Sequence, residues 1–138
     1  MVSMSQPKMN NTRLDQIIRT IGDDVQGEFG YWQFLVNDIR ILCLTDETHN
    51  RMRVMTPIAS IEELNESTLL KCMSANFDRA LDARYCVSKD MIWGAFIHPL
   101  GSLTPKLFQS ACHQVTEVSR TFGTTFSSGG LSFNSDVV

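Results

Sequence analysis

The sequence has no long apolar run, no cysteine pair at metal or redox spacing and no block of basic residues. Each absence removes a class of function. The apolar runs all stay under ten residues, where a membrane-spanning helix needs about 20. The opening MVSMSQPKMN lacks the apolar core of a signal peptide. Together these predict a cytoplasmic protein with no membrane partner. Lys and Arg number 12 against 15 Asp and Glu, for a net charge of −3. Arg51 and Arg53 are the nearest thing to a basic cluster, so no nucleic-acid partner is expected. Cys43, Cys72, Cys86 and Cys112 form neither a CxxC nor a CxH pair. Each falls inside an apolar strand or helix pattern, which predicts reduced, core-type thiols and neither a disulfide nor a metal site.

Catalytic patterns are missing too. His49, His98 and His113 are the only histidines. His49 lies in a polar turn beside Asp46 and Glu47, where solvation explains all three. His98 precedes Pro99 at the end of an apolar run. His113 follows Cys112 in a helical pattern, and adjacent helical residues point about 100° apart, so the two make no nucleophile pair. Glu62 and Glu63 suit the first turn of a helix, where they complement its dipole. Asp23-Asp24 reads as a solvated loop. The glycines of GTTFSSGG lack the preceding strand and following helix of a phosphate loop, and Ser127 and Ser128 lack a GxSxG setting. The expectation is a protein without catalytic residues, cofactor or metal.

What is there is punctuation. The chain's 138 residues fit one domain with a core of its own. Leu14, Ile17, Ile18, Ile21 and Val25 predict a helix over 12–25, with Thr12 and Asp15 resembling a capping box. In YWQFLVNDIRILCL, Asn37-Asp38 supply a two-residue hairpin turn. That turn sets Val36 opposite Ile39, Phe34 opposite Ile41 and Trp32 opposite Cys43, all on one apolar face. A third strand follows over 51–56, closed by Pro57. Ser60 and Glu63 read as the capping box of a second helix with Leu64, Leu70, Met73 and Phe77 on its apolar side and Leu69 beside them. Alternation from Leu81 to Ser88, a Lys89-Asp90 turn and Met91 to His98 predict a second hairpin. Thr104 as N-cap, Pro105 at the first helical position and a Leu103–Phe108 staple open the last helix, and Gly123 stops it. The Ser/Gly-rich tail from Thr124 shows no periodicity, although Phe126, Leu131 and Phe133 could dock as a short strand.

The resulting order is α-β-β-β-α-β-β-α. It predicts an α+β two-layer sandwich, helices on an antiparallel sheet, over residues 12–123, with 1–11 and 124–138 as flexible tails. The Lys89-Asp90 turn pairs Cys86 with Trp93 and Ser88 with Met91, and by extension sets Asp82 opposite Ile97. Leu81, Ala83, Tyr85, Val87, Ile92 and Phe96 then form the core face. Met91, Trp93 and Ile97, lying among Asp82 and Arg84, are left on the wet face, where large apolar groups suggest a partner or dimer surface.

The element order, with LLKCMSANFDRALDARYCVSKDMIWGAFIHPLGSLTPKLF, resembles the YbjN-like bacterial family from about Thr12 to Gly123. Its most specific parts are Asn76-Phe77 ending a helix, Ala83-Arg84-Tyr85 in the next strand, His98-Pro99 and Leu103-Thr104. The WQFLVNDIRILCLTDE segment fits the family's first hairpin. That family shares its fold with class I type III secretion chaperones. The resemblance implies a small cytoplasmic homodimer with no known active site or cofactor. By analogy with the chaperones, it would bind an extended client segment along apolar patches. The alternative expectation is a regulatory or stress-related protein holding a small ligand between helices and sheet.

Overall fold

The computed structural model describes residues 8–129. Six strands form one antiparallel sheet: β1 Asp23–Glu28, β2 Tyr31–Val36, β3 Ile39–Asp46, β4 Arg51–Ser60, β5 Arg84–Ser88 and β6 Met91–His98. Their spatial order is β1-β2-β3-β4-β6-β5. The helices are α1 Asn11–Ile21, α2 Glu66–Asp78 and α3 Pro105–Arg120. The α+β two-layer plan expected from the sequence is the one observed, with one strand added.

That strand is β1. The chain expected as the end of the first helix and a solvated loop instead leaves the helix at Gly22, which is extended (φ −100°). A side chain at Gly22 would meet the Phe34 ring at 2.7 Å, so glycine lets the chain turn tightly onto β2. Asp24 adopts a positive φ of 50° and the register with β2 shifts between Asp23 and Gln26, a bulge at the sheet's edge. The helix itself is capped by Asn10, whose Oδ1 accepts from Arg13 N at 2.9 Å. Thr12 and Asp15 form no capping box. The Asp15 carboxylate instead accepts from the Trp32 indole at 2.9 Å and pairs with Arg19.

Both hairpins have the registers that their turns dictate. Asn37 and Asp38 have φ of 51° and 64°, and Lys89 and Asp90 have 52° and 63°, the double positive φ of a type I′ turn. Val36 pairs with Ile39, Phe34 with Ile41 and Trp32 with Cys43; Cys86 pairs with Trp93 and Ser88 with Met91. Asp82 precedes β5 and has no strand partner. Its backbone N–H, like that of Ala83, donates to Gln114 Oε1 on α3.

Two boundaries differ from expectation. β4 runs through Pro57 to Ser60, because its pairing with β3 stops at Met55 while its ladder with β6 continues around a bulge between Pro57 and Ala59. Ser60 caps only a single 3-10 turn, Ile61–Glu63, and α2 starts afresh with Asn65 as N-cap, its Oδ1 accepting from Thr68 N at 2.8 Å.

The core lies between one sheet face and the helices α1 and α3. Trp32, Phe34, Ile41 and Val54 from the sheet meet Leu14 and Ile18 of α1 and Phe108 and Val115 of α3, all fully buried. The start of α3 is built as expected: Thr104 Oγ1 accepts from Leu107 N at 3.1 Å, Pro105 follows, and Leu103 and Phe108 are both buried. The packed structure reaches beyond 12–123. Met9 is buried, and after Gly123 (φ +85°) the chain folds back to bury Phe126 and Ser128. Phe126 packs edge-on to Tyr85 and Phe122. Leu131 and Phe133 lie outside the described residues.

The helix α2 sits differently. It lies at the β5 edge and is fastened there by Asn76, whose side-chain amide donates to Tyr85 O at 3.0 Å and accepts from Tyr85 N at 2.8 Å.

Candidate partner-binding surfaces

The apolar side expected of the second helix does not face the core. Leu70, Met73 and Phe77 are 59%, 68% and 71% exposed. Their spacing of three and four residues puts them on one face. The helix buries the small residues Cys72 and Ala75 instead. The geometry follows from the tether: Asn76 must face β5, so the residues a third of a turn away on the helix point outward. An open depression of about 760 Å³ flanks this stripe, between Glu66, Leu70 and Lys71 on the helix and Gly123–Phe126 on the returning chain.

The second surface is the sheet face opposite α1 and α3. Cross-strand pairing places Leu42 beside Met55, Leu44 beside Arg53, Arg53 beside Ile97, Met55 beside Ala95 and Trp93 beside Cys86. Met91, Trp93 and Ile97, the residues singled out in the sequence, all occupy this face. Met91 and Trp93 are half-buried, and the Trp93 indole donates to Ser88 O at 3.0 Å. Ile97 is 56% exposed. Two residues assigned to the core face are corrected. Val87, near the hairpin end of edge strand β5, is 57% exposed, and Leu81, in the segment before β5, is 39% exposed. Ala83, Tyr85, Ile92 and Phe96 are buried as expected.

Polar groups with chemical potential are scattered. His49 Nδ1 and backbone N–H both bond the Asp46 carboxylate, at 2.8 and 3.0 Å, and these bonds hold that carboxyl below its usual range. His98 Nδ1–H donates to Pro99 O at 2.8 Å, and the ring stacks on Phe96. His113 is exposed. The four thiols are free, three of them buried and Cys86 half-buried. Burial pushes the Cys86 thiol up in spite of Arg53 and Arg84 nearby. Among the described residues no group of three His, Cys, Asp or Glu side chains converges as a metal site would require, and no helix is long and apolar enough to cross a membrane.

What sequence reasoning missed was the outward turn of α2. Its periodicity marked an apolar face, and the Asn76–Tyr85 bonds with the burial of Cys72 and Ala75 turn that face outward.

Neither a protein-family model nor a curated protein sequence matches the chain. Its fold does match solved structures. One is a chain of the HopA1–SchA chaperone–effector complex, with TM-score 0.61 and 11% identity over 80% of this chain and 90% of that one. Another is a chain of the ExsC–ExsE complex, with TM-score 0.60 and 14% identity over 83% of this chain and 97% of that one. The six-stranded antiparallel sheet with its helices is therefore a secretion-chaperone-like fold.

Proposed function

We propose that this protein is a non-enzymatic, chaperone-like interaction module that pairs with a second copy through α2 and holds an extended segment of a client protein. The observation that carries the reading is the exposed Leu70, Met73 and Phe77 stripe on a well-formed helix. Large apolar groups gathered on one face favour a partner over water. A two-fold, antiparallel α2–α2 contact suits this stripe. Met73 lies near the helix centre, so the stripe complements itself across the axis. The same arrangement brings Glu66 of one helix toward Arg79 of the other. The open sheet face with Met91, Trp93 and Ile97 then remains free for the client.

The fold likeness to a chain of a chaperone–effector complex supports a partner-binding role. The resemblance to YbjN-like proteins supports a cytoplasmic setting and a role other than catalysis. The small-ligand alternative gains no comparable observation, since Trp32, Phe34, Phe108 and Val115 fill the space between the helices and the sheet.

Sedimentation of the purified protein and of Met73→Glu tests the pairing. A dimer that becomes a folded monomer in the variant is the expected result. A wild-type monomer at high micromolar concentration would count against it. For the client, affinity capture from the native lysate with wild type and Trp93→Glu side by side, followed by sizing, should show one stoichiometric protein lost from the variant. Capture equal in both would remove the sheet face from the reading.

A further inference from the structure

The open sheet face is not only apolar. Arg51 and Arg53 on β4, Arg40 on β3 and Arg84 on β5 all point to it, by the alternation that puts Leu42, Leu44 and Met55 there. In a chain of net charge −3, this face is locally positive. Among the described residues, none of the four guanidinium groups pairs with a carboxylate. Arg40 bonds Gln33 Oε1 at 3.0 Å, and Arg84 bonds the carbonyls of Leu81 and Ala83. The nearest cross-strand acid is Asp46, opposite Arg51. It is turned toward His49, whose Nδ1 lies 2.8 Å from the carboxylate. On the same face, Asp23 and Glu28 lie out on edge strand β1, beyond Leu35 and Tyr31.

The arginines surround apolar side chains. Ile97 sits beside Arg53, and Ala95 sits between Met55 and Arg84. Ala95, short and buried, lies between the larger Trp93 and Ile97 along β6. An open depression of about 680 Å³ adjoins them, lined by Leu44, Arg51, Arg53 and Ile97 together with Asp46 and His49. Arg51 and Arg53, two residues apart on one strand, have their Cα atoms about 7 Å apart. That is also the spacing of alternate residues in an extended chain.

We infer that the segment held on this face is extended and acidic, with the carboxylates of its sheet-facing side chains reaching Arg51, Arg53 and Arg84 across the apolar floor of Ile97, Ala95 and Trp93. The inference rests on the partner-binding reading above and adds the chemistry of the partner. Guanidinium groups bind carboxylates in a two-pronged fashion that ammonium groups cannot reproduce. Asp46, the acid opposite Arg51, bonds the His49 ring and backbone N–H and forms no ion pair with the arginines.

Fluorescence anisotropy with two labelled twelve-residue peptides tests this. One alternates Asp with Leu and Val, and the other carries Lys in place of Asp. The acidic peptide should bind at least tenfold more tightly, and raising the salt concentration should weaken it. Arg53→Glu with Arg84→Glu should abolish that preference or reverse it, while Arg53→Lys with Arg84→Lys should recover only part of it. Lys106→Glu, an exposed charge reversal on α3 across the sheet, should leave it unchanged. Equal binding of the two peptides, no binding of either, or a preference insensitive to charge reversal would each overturn the inference. So would a change in oligomeric state on Arg53→Glu with Arg84→Glu, since the face would then belong to a second copy. If the peptides fail while Trp93→Glu still loses its client from lysate, the acidic chemistry falls and the interaction-module reading stands.

Discussion

Two amphipathic helices of similar length meet opposite fates in this molecule. α3 crosses the sheet and buries Phe108, Ala111, Cys112, Val115 and Val118. α2 lies at the sheet's edge, buries Cys72 and Ala75, and turns Leu70, Met73 and Phe77 to solvent. Both carry an apolar stripe, more sharply segregated on α3 than on α2, and position adds to the difference. α3 reaches the sheet's centre, where both hairpins supply apolar partners. α2 is positioned by a polar clamp to the outermost strand, and its large side chains extend past the protein. Apolar periodicity therefore does not say that a helix face is covered by its own chain.

The sharpest way to break this comparison is to truncate one phenylalanine on each helix. Phe108→Ala should cost about 3–5 kcal/mol, as for other fully buried aromatic residues, measured by urea denaturation. Phe77→Ala should change monomer stability by no more than ~0.5 kcal/mol, yet weaken self-association in sedimentation. If the two costs were alike, α2 would not be an exposed helix.

Tyr85 joins both helices to the same strand. Its hydroxyl donates to Val118 O of α3 at 3.0 Å, and its backbone is held by Asn76 of α2. Burial pushes its phenol up from 10 to about 12. The neutral form is thus favoured by folding. This contribution is fully present below pH 10 and is lost as pH rises from 10 to 12. It amounts to about 3 kcal/mol by linkage. Alkaline denaturation followed by circular dichroism should show this loss, and Tyr85→Phe should flatten it. The buried Cys43 and Cys112 thiols, also pushed up, would keep a residual slope.

Asn76→Ala is the corresponding test of the α2 clamp. It leaves an amide and a carbonyl of Tyr85 without partners, which should cost about 2 kcal/mol and release α2 before α3. Hydrogen exchange would show early exchange confined to α2 and β5. Uniform loss across the sheet would mean that α2 is not separately held. The smallest effects are expected at the caps. Thr104→Ala and Asn65→Ala should each cost about 1 kcal/mol, with the α3 cap affecting global unfolding and the α2 cap affecting only local fraying.

Much of the fold was legible for local reasons. Asn37-Asp38 and Lys89-Asp90 set both hairpin registers, and Thr104-Pro105 set the start of α3. β1 was not legible, because DDVQGE has a single apolar residue and becomes a strand only through pairing with β2. Pro57 looked like a stop, and it is tolerated because the β3 ladder ends before it. Ser60 looked like the cap of α2, but Asn65 performs that role five residues later. Of the candidate site, Met91, Trp93 and Ile97 could be placed on the open face from the turn alone. The exposed α2 stripe could not be foreseen, since its direction depends on how the helix docks, through the Asn76–Tyr85 bonds and the burial of Cys72 and Ala75.

Asn76 has a consequence for what can attach to the sheet. Its amide stands where the peptide group of a seventh strand would stand, offering Tyr85 the same donor and acceptor. The next outward-facing backbone position on β5 is Val87, close to the hairpin tip. A foreign strand therefore finds this edge already terminated by a side chain. Any partner that extends the sheet strand by strand must come to the far side of the molecule, along β1, where the bulge at Asp24 breaks the line of backbone groups. One asparagine thus acts against edge-to-edge polymerisation of the protein.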